Sequence, residues 1–175
     1  MNAKTLPEVI NNYNVYDDRA NRLIGVSGEV ELPNFEAMTE TISGAGILGE
    51  YDGPVTGHFS SMSIKIPFSN LWTNLYDLMN TTTPPQLTLR GSMQTTDTDT
   101  NITDYEPVKI VLRGQCKVTE SGKVDVGKKM ESSVEMEIAY IRIQVAGVDL
   151  VELDKLNFKF LLNGVDMMAK IRSQI

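Results

Sequence analysis

The sequence predicts a mainly β protein: an antiparallel β-sandwich or barrel with one packed α-helix, a long β-hairpin arm and a short C-terminal helix. Three observations lead there. Apolar and polar residues alternate over many short runs bounded by turn formers, the pattern of half-buried strands. Only one internal stretch repeats its apolar positions at the helical period. Residues 35–61 read as two extended arms around a glycine-rich connection, with Glu36, Met38 and Glu40 on one parity and Ala37, Thr39 and Thr41 on the other. At 175 residues the chain is expected to form one domain, 1–175, with room for a real core.

Residues 1–22 carry turn formers and mixed charge, and read as an arm or a short edge strand outside the core. From Ile24 the alternation is regular: Ile24, Val26, Gly28, Val30 and Leu32 fall on one face, Ser27, Glu29 and Glu31 on the other. This predicts a strand closed at Leu32-Pro33, because proline has no N–H to give to a ladder. The polar arm 35–42 follows, then the connection 43–55, then a strand from Thr56 to Phe68 that turns apolar at Met62, Ile64, Ile66 and Phe68. Ser69 can cap a helix with Leu71, Trp72, Leu75, Tyr76, Leu78 and Met79 on its buried stripe. Pro84-Pro85 ends it.

Strands dominate the rest. Leu87, Leu89 and Met93 alternate with Thr88, Arg90 and Ser92, and an acidic, Thr-rich surface loop (97–104) precedes a strand whose apolar face runs from Val108 through Ile110 and Leu112 to Cys116 and Val118. Glu120-Ser121-Gly122-Lys123 turns the chain. In 130–145 the apolar parity switches, even at Val134, Met136 and Ile138 but odd at Ile141, Ile143 and Val145. Such a phase change near Ala139-Tyr140 predicts a bulge or a strand crossing between sheets. Ala146-Gly147-Val148-Asp149 is a tight-turn signal, and Leu156, Phe158, Phe160 and Leu162 predict the last strand. Asn163-Gly164 then leads into a short helix bearing Met167, Met168, Ile171 and Ile175, with Lys170 and Arg172 placed for its dipole.

Composition narrows the function. No apolar run approaches a membrane helix, and MNAKTLPEVINN shows no secretory h-region. A single cysteine, Cys116, and a single histidine, His58, exclude an internal disulfide, thiolate clusters and His-rich metal sites. A formal charge of −7 opposes tight nucleic-acid binding, which needs Lys and Arg to neutralise phosphates. The expectation is an intracellular protein without catalytic residues, cofactor or metal.

The motifs fit that expectation. Gly44-Ala45-Gly46-Ile47-Leu48-Gly49 spells G-x-G-x-x-G, but a dinucleotide site needs a buried strand before it and a helix after it. Here Glu36 and Glu40 precede it, and Glu50-Tyr51-Asp52-Gly53-Pro54 cannot open a helix. Asp97-Thr98-Asp99-Thr100-Asn101 imitates a calcium loop, yet Ile102 stands where Gly is needed and Val108 where Glu is needed. His58 lies on a polar strand without a nucleophile partner, Cys116 lies on an apolar face, and Trp72 reads as core. The pairs Glu29/Glu31 and Glu152/Asp154 are ordinary on acidic strand faces.

Taken together, Gly28-Glu29-Val30-Glu31-Leu32-Pro33, Gly44-Ala45-Gly46, Gly53-Pro54-Val55, Ile110-Val111-Leu112-Arg113-Gly114, Tyr140, Glu152-Leu153-Asp154 and Asn163-Gly164-Val165-Asp166 resemble the major tail tube proteins of contractile-tailed phages and phage-tail-like, R-type bacteriocins. The resemblance runs from about Tyr13 to the end. The chain departs from it in having Ala45 within the glycine cluster and a longer loop at 97–104.

The resemblance implies the tail-tube fold: a β-sandwich flanked by a helix, in homohexameric rings stacked into a hollow tube within a sheath. Strands from six subunits would form one inner barrel, which explains strands polar on both faces and removes exposed edges. Implied partners are other copies of the chain, the sheath, the baseplate and tail-terminator proteins, and a tape-measure protein in the lumen. DNA would pass without tight binding, and nothing inserts into a membrane. The particle would be a virion or bacteriocin tail assembled in the bacterial host cytoplasm. Within this reading Gly44, Ala45, Gly46, Ile47, Leu48, Gly49, Tyr51, Gly53 and Pro54 are expected to touch the next subunit or ring. Glu36, Glu40, Thr56, His58 and Ser60 are the candidates for facing the bore. The alternatives are a tube protein of a type VI secretion system, a nucleotide-binding β-domain using Gly44–Gly49, and a secreted adhesion module.

Overall fold

Strand pairing organises the molecule. The computed structural model describes residues 4–26, 28–71 and 73–175, so Trp72 and Ser27, placed above in the core and on a strand face, lie outside the described residues. Every pairing among the described residues is antiparallel. The large sheet runs β1 (Thr5–Tyr16), β5 (Gln86–Asp97), β6 (Thr103–Glu120), β7 (Ser132–Val145), β8 (Val148–Asp154), β9 (Lys159–Leu162) and β10 (Val165–Asp166), with β4 (Ser63–Phe68) also on β7. A separate two-stranded sheet pairs β2 (Ala37–Ser43) with β3 (Glu50–Phe59). The mainly β, antiparallel expectation is met, and both helices are short: α1 (Thr73–Asp77) and α2 (Ala169–Arg172).

The core lies on one face of the large sheet. Leu87 and Leu89 of β5, Ile110 and Leu112 of β6, and Val134, Met136 and Ile138 of β7 are buried there. Ile64, Ile66 and Phe68 of β4 close it, with Leu75 and Leu78 at α1. Each fully buried aliphatic side chain contributes about 1.5–3 kcal/mol of transfer free energy.

The parity switch in β7 has the predicted cause. Arg113 pairs with Tyr140 and Gly114 with Ile138, so Ala139 is the extra residue of a bulge. Below it β7 is flanked by β4 and β6, above it by β8 and β6. The bulge turns Ile141 inward, which keeps one strand in the core while its second neighbour changes. Gly114 faces the bulge, where a Cβ would overlap the Glu137 carbonyl oxygen. Ala146-Gly147 forms a two-residue hairpin loop with φ of 51° and 77°, the type I′ geometry that matches strand twist.

Several expectations are corrected. Among the described residues of 24–32 no strand forms; the isolated bridges Val26–Phe68 and Glu31–Lys65 remain. Gly25 (φ 96°) and Gly28 (φ 79°) bend the backbone out of the extended region, so Val26 and Val30 reach the core from an irregular path. The N-terminal segment is a twelve-residue edge strand, and its Val15 is buried. The predicted strand 56–68 is two strands in different sheets, β3 and β4, and β3 begins at Glu50, which shortens the connection to 44–49.

The predicted helix is one turn long. Leu75 and Leu78 are buried as expected, but Tyr76 and Met79 are exposed. Asn80 ends the segment by accepting the amides of Thr82 and Thr83. The last predicted strand begins late, at Lys159, because Phe158 adopts φ 52°, and Leu156 is exposed. Asn163-Gly164 (φ 49° and 79°) closes the β9–β10 hairpin before the helix. Met168 is buried, whereas Met167, Ile171 and Ile175 are exposed.

Candidate functional site

The residues of the β2–β3 arm between Met38 and Tyr51 lie outside the core. Glu40 lies opposite Gly53, Thr41 opposite Asp52, Ile42 opposite Tyr51 and Ser43 opposite Glu50. Among the described residues no strand flanks the pair on either side. Thr41 Oγ1 donates to Asp52 Oδ1 at 2.7 Å, while Met38, Ile42 and Tyr51 are about half exposed.

The tip is Gly44-Ala45-Gly46-Ile47-Leu48-Gly49. All three glycines have positive φ, and the Ile47 amide donates to the Gly44 carbonyl at 3.1 Å. Leu48 is wholly exposed. An antiparallel hairpin precedes and follows this loop, so the strand–loop–helix that would present N–H groups to a pyrophosphate is not built here. Of the other residues expected at contacts, Tyr51, Gly53 and Pro54 lie within β3 and not in the connection.

The arm is seated at its base. Between Ala37–Phe59 and Thr39–Pro54 the register slips, and β3 carries the surplus residues, including Gly57 at φ 76°. A Cβ on Gly57 would overlap the sulfur of Met168. Phe59 stacks edge-on against Phe35 (6.1 Å, 82°) and Phe160 (5.0 Å, 75°). The Ser60 amide donates to the Glu36 carbonyl (2.9 Å), and Lys155 Nζ donates to the Ser60 carbonyl (2.8 Å). Ser61 Oγ and the Met62 amide both donate to the Glu137 carboxylate. Burial raises the Glu137 pKa, but those two bonds and the charges of Lys155 and Lys117 outweigh it and hold the carboxyl below its ordinary range.

The seat was not visible in the sequence. Phe35 and Phe59 are the two phenylalanines of this largely polar stretch, the one local hint, and Phe160 and Met168 are far away in sequence. At the base of the arm Phe59 shares a side with Ala37, the side on which Phe160 packs; Met38, Glu40 and Ile42 turn to the other side. Thr56 and His58 are exposed within the irregular part of β3, and Ser60 follows it, half-buried.

The remaining candidates are occupied. Asp97 Oδ1 accepts from the amides of Asp99 and Thr100 and from Thr100 Oγ1, bonds that depress its pKa, and Lys4 pairs with Asp99. The 97–104 loop is thus a tied hairpin turn. Glu152 pairs with Lys159 and Asp154 with Arg113. No group of three His, Cys, Asp or Glu residues suited to a metal ion occurs among the described residues.

The two-stranded sheet leaves both outer edges unpaired among the described residues. The family model described as phage tail tube protein FII matches residues 7–175. The chain belongs to that family. It is also similar to the tail tube protein of Escherichia phage P2, with 29% identity over 156 residues that cover 86% of this chain and 87% of that protein. The resemblance read from the sequence therefore holds at the level of the family. The chain is a structural phage tail tube subunit, a component of the virion tail, and no helix among its described residues is long and apolar enough to cross a membrane.

Proposed function

We propose that the chain is a single 1–175 domain that assembles into homohexameric rings stacked as the inner tube of a contractile tail. The observation that carries this reading is the β2–β3 arm, whose outer edges pair with nothing among the described residues. Joined side by side with those of neighbours, such arms become part of a closed barrel wall without edges.

Glu40 turns away from the side covered by Phe160, which supports Glu36 and Glu40 as bore-facing residues, with Thr56, His58 and Ser60 beside them. A bore of like charge repels phosphate over about 8–10 Å at physiological ionic strength, so DNA slides or ions flow without sticking. The tip, Gly44–Gly49, with Tyr51, Gly53 and Pro54, touches the next subunit or ring. Sheath, baseplate, tail-terminator and tape-measure proteins are the further partners, met in the host cytoplasm where the tail is built.

Electron microscopy of purified protein tests this directly. The wild-type chain is expected to form tubes. Gly44→Val/Gly46→Val is expected to remain a folded monomer yet fail to form them, because Val cannot adopt the positive φ of either position. A wild-type chain that stays monomeric under all conditions, or normal tubes from the double variant, would count against the assignment.

A further inference from the structure

Six carboxylates and not one lysine or arginine lie between Arg22 and Lys65, in a chain whose formal net charge is −7. Glu36, Glu40, Glu50 and Asp52 sit on the arm or at its foot. None of these four forms an ion pair among the described residues. The arm is an anion without a counter-charge of its own.

A matching cation stands on the solvated face of the large sheet. Arg90 of β5 lies directly opposite Lys109 of β6. Their neighbours Leu89 and Ile110 are buried, so both cations point away from the core. On the same face Arg113 pairs with Asp154, Arg142 with Asp149 and Lys159 with Glu152. Arg90 and Lys109 form no ion pair among the described residues. The Arg90 guanidinium rests over the Tyr16 ring, 5.2 Å from its centroid, which fixes its place. Like charges directly opposite on paired strands repel. This rung is where an added carboxylate relieves repulsion instead of competing with a partner already present.

We propose that the Arg90–Lys109 rung of one copy receives Glu50 and Asp52 from the arm of a second copy; these two share the face of Thr41 and Ser43, opposite to Glu40. This rests on the tube reading above and adds the surface that the arm meets. The contact joins two different patches of the same chain, so it repeats head to tail and can close into a ring. Phosphate is the competing anion, but two cations bordered by paired carboxylates give no continuous track for a nucleic-acid backbone.

Two charge-swapped chains test the contact. One carries Arg90→Glu/Lys109→Glu; the other carries Glu50→Lys/Asp52→Lys. Every change is to a charged side chain outside the buried core, and circular dichroism with thermal unfolding checks that each chain folds. Each alone is expected to form at least tenfold fewer tubes than wild type by sedimentation and electron microscopy. An equimolar mixture is expected to restore them, because each reversed group then meets its opposite around a ring. Normal tubes from the first chain alone, or no rescue by the mixture while wild type assembles, would overturn the contact and leave the tube reading standing. A fluorescent DNA oligonucleotide retained by wild-type tubes but not by normally formed Arg90→Glu/Lys109→Glu tubes would assign the rung to phosphate, and overturn it too. A wild-type chain that forms no tubes would remove both readings.

Discussion

At the residue scale, two positions give direct tests of the packing. A Cβ at Gly114 meets the Glu137 backbone oxygen, and backbone cannot swing aside as a flexible side chain can. Gly114→Ala is expected to cost about 3 kcal/mol, at the upper end of overpacking penalties, measured by urea unfolding. Arg142 holds Asp149 through two bonds of 2.7 Å, and the guanidinium keeps that carboxyl below the usual range. Both side chains are about a third exposed, so the pair is worth only about 1 kcal/mol. A depressed carboxylate pKa stabilises the fold above its unfolded value, and that contribution is lost as pH falls through the folded one. Asp149→Asn is therefore expected to be less stable than wild type at pH 7, with the difference fading below about pH 4 in paired thermal melts.

At the element scale, the seat of the arm is the part to probe. Met168 is buried against Gly57, and Met168→Ala is expected to cost about 2–4 kcal/mol. Gly57→Ala forces a Cβ into the sulfur and into positive φ. In a Met168→Ala background its cost is expected to fall, leaving the backbone strain alone; a double-mutant cycle reads this as coupling, and strict additivity would contradict the contact. The same elements show what sequence can and cannot reveal. Parity exposed the Ala139 bulge and the uncovered arm because both are written in adjacent side chains. Residues 24–32 misled because their alternation is real while Gly25 and Gly28 deny it an extended backbone. The helical stripe Leu71–Met79 overstated its helix, since Leu75 and Leu78 need only one turn to reach the core. The Phe59–Phe160 stack joins residues about a hundred positions apart, and no local period can encode that.

At the scale of the whole molecule, fold and assembly occupy different parts of the chain. Among the described residues the arm shares no ladder with the large sheet, so shortening it should leave the core intact. A variant joining Thr39 to Pro54, opposite neighbours in the arm, through an Asn-Gly turn is expected to stay monomeric by light scattering. Its melting temperature should remain within a few degrees of wild type. Because the proposed contact is between charges near solvent, tube growth of the intact chain is expected to slow as salt rises from about 0.05 to 0.5 M.

The seat also ties assembly to the order of synthesis. β2 and β3 are neighbours in sequence, and a hairpin of this kind pairs within about 1–10 μs of leaving the ribosome. Phe160 and Met168, which fix its direction, arrive about a hundred residues later, or about 5–20 s at ordinary translation rates. For that interval the nascent hairpin lacks the contacts that direct it, and β4 waits for β7 in the same way. Only a nearly completed chain can present its arm at a fixed angle, so unfinished chains are poor competitors for a place in the growing wall.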